Sequence, residues 1–81
     1  MKIPRDISSN NIIRLLKKYD YKVTRQTGSH IRLTSNIKGT EHNITIPKHK
    51  ELKIGTINNI LNDISRYLEI DKESFIQSLF K

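Results

Sequence analysis

The chain has 81 residues, no cysteine, and a net charge of +7 from 15 Lys and Arg against 8 Asp and Glu. A single domain of that size buries only about 60% of its unfolded surface, and it has no disulfide framework or zinc ribbon to brace it. No apolar run is long enough to span a membrane and no basic-then-apolar signal segment opens the chain, so the expectation is a cytoplasmic protein with no membrane partner.

The expected elements follow in chain order. Residues 1–7 contain Pro4, which fixes its own φ and disfavours helix before it, so they read as an extended arm. Ser8 and Ser9 are good N-caps for a helix over about 9–19, whose apolar positions Ile12, Ile13, Leu15, Leu16 and Tyr19 fall at spacings of three and four. Arg14, Lys17 and Lys18 lie off that stripe and read as a solvated basic face. Asp20 ends the helix. Residues 21–27 alternate, which places Tyr21, Val23 and Arg25 on the inward face of a first strand and Lys22, Thr24 and Gln26 on the open one.

Gly28-Ser29 makes a tight turn. A second strand over 30–34 then points Ile31 and Leu33 inward and His30, Arg32 and Thr34 outward. Residues 35–40 form a hairpin loop around Asn36 and Gly39. A third strand over 41–46 points Ile44 and Ile46 inward and Asn43 and Thr45 outward, and Pro47 ends it. Lys48 to Lys53 is a basic connection. Gly55-Thr56 opens a helix over about 56–68 with the stripe Ile57, Ile60, Leu61, Ile64 and Leu68. Asp71 caps a short helix over about 72–80 with Phe75, Ile76, Leu79 and Phe80 on its apolar face. The whole is one domain over 1–81: an α+β fold of two layers, a three-stranded antiparallel sheet with one open face, two helices on the other face, and a short C-terminal helix.

The charge is uneven. Residues 1–60 hold 12 basic and 4 acidic side chains, a net of +8, while residues 61–81 hold 3 and 4, a net of −1. Such asymmetry points to an anionic partner, nucleic acid being the usual one. No helix joins a strongly basic face to a bulky apolar one, as binding to a membrane surface would need. On the open face, His30 and Arg32 stand two residues apart on one strand and so share a side. An imidazole that titrates near neutrality beside a guanidinium is a site suited to phosphate chemistry.

Three further stretches carry a resemblance. Gly28-Ser29-His30 opening the second strand, Pro47-Lys48-His49 after the third, and Gly55-Thr56 opening the long helix, in the order α-β-β-β-α, make the chain similar to the HicA toxins over roughly residues 9–80. The resemblance implies a fold like the double-stranded-RNA-binding domain and a ribonuclease (mRNA interferase) activity. It also implies His30 as the catalytic residue, and a HicB-type antitoxin that blocks it. One departure is Asp20, where many members have glycine before the first strand; Asp tolerates a left-handed backbone, so the turn is expected to survive.

RNA carries its own nucleophile, the 2′-hydroxyl. His30 acting as general base would drive in-line attack on the neighbouring phosphate, leaving a 2′,3′-cyclic phosphate and a 5′-hydroxyl. Arg32 would stabilise the charge developing on the phosphate oxygens. Gly28, Ser29, Lys22, Lys48, His49 and Lys50 complete the expected contacts to single-stranded mRNA, and His49 is the runner-up for proton transfer. The acids are scattered and there is no cysteine, so no metal or other cofactor is expected. Two other readings stand beside this one: a non-catalytic RNA-binding module, and a structural module with no nucleic-acid ligand. A His30 substitution separates the enzyme from the binder.

Overall fold

The alternation in the middle of the chain folds as a meander. In the computed structural model, which describes residues 3–81, strands β1 (Lys22–Gln26), β2 (His30–Ser35) and β3 (His42–Pro47) form one antiparallel sheet in the order β1-β2-β3. The first two residues of the expected arm lie outside the described residues. In β2 and β3 the period of two sorts the side chains as expected: Ile31, Leu33, Ile44 and Ile46 are buried, and His30, Arg32, Asn43 and Thr45 are exposed.

The helices cover that apolar face. Helix α1 (Ser9–Leu16) starts at a capping box: the Asn11 amide N–H donates to Ser8 Oγ at 3.1 Å and the Ser8 amide N–H to Asn11 Oδ1 at 3.2 Å. It ends in a 3₁₀ turn, Lys17–Tyr19, and Asp20 takes the left-handed conformation with φ 65°. The expected left-handed turn is therefore made without glycine. Helix α2 (Ile54–Leu68) buries Ile57, Ile60, Leu61, Ile64 and Leu68. It begins earlier than Gly55-Thr56 suggests: Lys53 is its N-cap, with no side-chain capping bond, and both residues sit in its first turn. Helix α3 (Lys72–Leu79) is capped as expected, the Ser74 amide donating to Asp71 Oδ2 at 3.0 Å.

Ile12 and Leu16 of α1 join the apolar stripes of α2 and α3 and the inner residues of β2 and β3 in one core. Two members come from segments read as arm and polar connection. Ile7 and Leu52 are both buried, and the Leu52 amide donates to the Ile7 carbonyl at 2.8 Å, which pins the N-terminal segment against the connection after β3.

β1 departs from the expected alternation. Val23, read as inward, is 47% exposed, and every residue of the strand is exposed. Lys22 pairs with Thr34 and Val23 with Leu33, but the register then shifts, so that Arg25 pairs with Arg32 and Gln26 with Ile31. A bulge at Thr24–Arg25 inserts one residue and reverses the parity beyond it. Arg25 therefore lies on the outer face, and Gln26 takes the inner side that Arg25 was expected to occupy. Val23 does face the inner side, opposite buried Leu33, but at the edge of the sheet, where its surface stays in solvent.

Candidate active site

The tight turn of Gly28-Ser29 closes on Thr27 and His30. The Thr27 amide donates to the His30 carbonyl at 2.9 Å, and the His30 amide donates to Thr27 Oγ1 at 3.1 Å. The hairpin thus fixes the backbone of His30 at the first position of β2 while its side chain stays exposed. His30 Nδ1 lies 3.0 Å from Ser29 Oγ. With Nδ1–H donating to Ser29, Nε2 keeps the lone pair that a general base requires and faces solvent.

The connection after β3 comes to the same end of the sheet. His30 pairs with Pro47 across β2 and β3. The Lys48 amide donates to the Ser29 carbonyl at 2.9 Å, and the His49 carbonyl accepts from the Ser9 amide at 3.0 Å and from Ser9 Oγ at 3.2 Å. These bonds tie the hairpin, the basic connection and the start of α1 together. Between them lies an open groove of about 440 Å³ lined by Ser8, Ser9, Asn10, Gly28, Lys48, His49 and Lys50. Its cations and the partly positive N-terminus of α1 make it a natural path for an anionic chain.

Six of the expected site residues are thereby gathered: Gly28, Ser29, His30, Lys48, His49 and Lys50. Arg32 shares the outer face with His30, but its Nε leans onto Thr24 Oγ1 of β1 at 3.5 Å. Lys22 shares the face too, yet it pairs with Thr34, four residues along β2 from His30. At about 3.3 Å per residue that is roughly 13 Å away. It lies 4.0 Å from Asp20 in an exposed ion pair. On the far side of the basic connection, a hydrogen bond and the charge of Asp6 push the Glu51 carboxyl above its ordinary range. No group of three or more His, Cys, Asp or Glu converges among the described residues, and no helix among them is long and apolar enough to cross a membrane.

Two polar residues of consequence escape the reading by alternation. Arg25 was hidden by the bulge, for which the stretch Lys22–Gln26 offers no glycine or other sign. His42 was not hidden: it has the parity of Ile44 and Ile46 and so belongs to the inner face. It sits at the opposite end of the sheet from His30. There its Nδ1 is 2.6 Å from the hydroxyl of buried Tyr21, its Nε2 is 3.3 Å from Asp63 Oδ1, and its ring stacks on Tyr67 at a centroid distance of 4.5 Å. Each imidazole nitrogen is engaged and the Tyr21 hydroxyl is enclosed, so this cluster ties β3 to α2 rather than facing a substrate.

A protein-family model described as the HicA toxin of bacterial toxin–antitoxin systems matches residues 9–65, well over half of the chain, and spans the hairpin, the sheet, the basic connection and most of α2. Searches of curated proteins and of solved structures return no match.

Proposed function

The chain belongs to the HicA toxin family, a toxin with an antitoxin partner, and from that premise we propose that it is a metal-independent endoribonuclease that cleaves single-stranded mRNA with His30 as general base. The observation that carries the reading is the exposed His30 side chain, held on a rigid hairpin with Nδ1 engaged by Ser29 and Nε2 free. Nε2 takes the proton of a 2′-hydroxyl, the oxygen attacks the adjacent phosphate in line, and the 5′-oxygen leaves and is protonated. His49, whose side chain is exposed beside the hairpin, would supply that last proton. Arg32, turned from Thr24, would bind the backbone phosphate next to the one attacked. Lys48 and Lys50 would hold the chain on either side. A HicB-type antitoxin would inhibit by occupying the His30 face, and the site of action would be the cytoplasm, where mRNA is found.

The test is cleavage of a single-stranded RNA by purified protein. His30→Ala is expected to abolish it, with a rate loss on the order of 10²- to 10⁴-fold, while changing stability by no more than about 0.5 kcal/mol, since the side chain is exposed. The products should carry 2′,3′-cyclic phosphate and 5′-hydroxyl ends, and EDTA should leave the rate unchanged. If His30→Ala cleaves at the wild-type rate and His49→Ala does not, the base lies in the connection after β3. If wild-type protein binds RNA and never cleaves it, the protein is a binding module.

A further inference from the structure

On the outer face, Arg25 and Arg32 are direct cross-strand partners. Directly opposed residues on one face have Cβ atoms about 4.5–5.5 Å apart, and like charges so placed destabilise a sheet. Neither guanidinium has a carboxylate partner among the described residues. The three ion pairs there fall elsewhere, and Glu41, the acid that reaches this face, is held at its far end by Asn43 Nδ2 at 2.9 Å. The pairing is also produced by a local irregularity. Without the bulge at Thr24–Arg25, Arg25 would lie on the inner side and the two cations would be on opposite faces.

A chain of hydrogen bonds sets the Arg32 side of the pair. Arg32 Nε–H reaches Thr24 Oγ1 at 3.5 Å, Thr24 donates to Thr34 Oγ1 at 2.8 Å, Thr34 donates to Asn43 Oδ1 at 2.6 Å, and Asn43 donates to Glu41. Each hydroxyl has one proton, and every link uses it in the same direction, across all three strands. The series begins on a cation and ends on a carboxylate, and it holds the Arg32 side chain against β1 at the bulge, at the residue next to Arg25.

We propose that Arg25 and Arg32 form a phosphate-binding subsite for single-stranded RNA, next to the His30 position. Two guanidinium forks at directly opposed positions on one face suit a tetrahedral oxyanion, which removes the repulsion between them. Arg32 is two residues from His30, about 6.6 Å along the strand, comparable to the span of one nucleotide in an extended chain. The subsite would thus hold the phosphate beside the scissile one. Arg25 is a binding residue here, with no part in proton transfer. The inference rests on RNA being the ligand and does not require that it be cleaved.

The experiment measures affinity for a single-stranded oligonucleotide with 2′-O-methyl riboses, which keeps the phosphates and lacks the nucleophile, over a range of salt. Arg25→Ala should weaken binding about tenfold at low salt, the loss of one charged hydrogen-bonding contact, and lower the salt slope by roughly 0.7. Arg25→Lys should restore the slope and only part of the affinity. Arg25→Glu, now opposite Arg32, should raise the melting temperature while weakening binding further, a pair of opposite changes that a structural role does not produce. On cleavable RNA, Arg25→Ala should raise KM and leave kcat within about twofold. Wild-type affinity and slope in Arg25→Ala would overturn the proposal. If wild-type protein binds but does not cleave, the ribonuclease reading fails, and loss of affinity in Arg25→Ala still supports the subsite.

Discussion

The two histidines at the two ends of this sheet have opposite surroundings. His30 has one nitrogen on a neighbouring hydroxyl and the other in solvent, whereas His42 has both nitrogens engaged and a face covered by Tyr67. The Tyr21 phenol that bonds His42 is enclosed, and burial, reinforced by Tyr67 and Asp63, pushes its pKa far above the ordinary tyrosine range. The folded protein therefore keeps this proton where the unfolded chain releases it, near pH 10. Below that pH the contribution of Tyr21 to stability is complete. Above it the unfolded state binds fewer protons than the native one, so stability falls as pH rises. Tyr21→Phe should cost about 1 kcal/mol at pH 8 for the lost hydrogen bond and should flatten the decline between pH 9.5 and 11. Urea midpoints of the two proteins across that range measure it, and parallel curves would show that the phenol is not held neutral.

At the scale of elements, the parts of the fold that were legible are those where one periodicity runs unbroken. The stripes of α2 and α3 and the alternation of β2 and β3 each predict their buried residues, and Ser8 and Asp71 predict two helix starts. β1 was misread because a bulge depends on pairing with β2, and five residues in isolation hold no record of their partner's register. The start of α2 was misplaced for a related reason: Lys53 caps it by backbone conformation alone. The end of α2 is also unusual, because Glu69 adopts φ 57° where glycine is the common choice. A left-handed conformation costs a residue with a Cβ about 1–2 kcal/mol. Against that, Glu69 pairs with Lys38 at 3.3 Å, an exposed ion pair worth about 0–1 kcal/mol. Glu69→Gly should therefore raise stability modestly, by up to about 1 kcal/mol, in thermal or urea denaturation. A loss of stability would mean that the ion pair outweighs the backbone strain.

For the molecule as a whole, the two faces of the sheet divide the work. One face carries the core against three helices. The other is open, rich in cations and bordered by the groove between the hairpin, the basic connection and the start of α1. The His30 end of the candidate site was legible because its residues lie in two short stretches that the β2–β3 register brings together; the Arg25–Arg32 pair was not, because it exists only through the bulge. Under the proposed function, RNA and an inhibitor would share the open face, since the opposite face is filled by helices. If the antitoxin acts by covering His30, its binding and that of RNA must exclude each other. Titrating a HicB-type antitoxin into toxin preloaded with labelled 2′-O-methyl RNA should release the RNA completely at one antitoxin site per toxin, and Arg25→Ala should need less antitoxin for the same release, because its RNA is held more weakly. Should RNA stay bound at saturating antitoxin, with cleavage of unmodified RNA unchanged, the inhibitor sits elsewhere and the open face belongs to RNA alone.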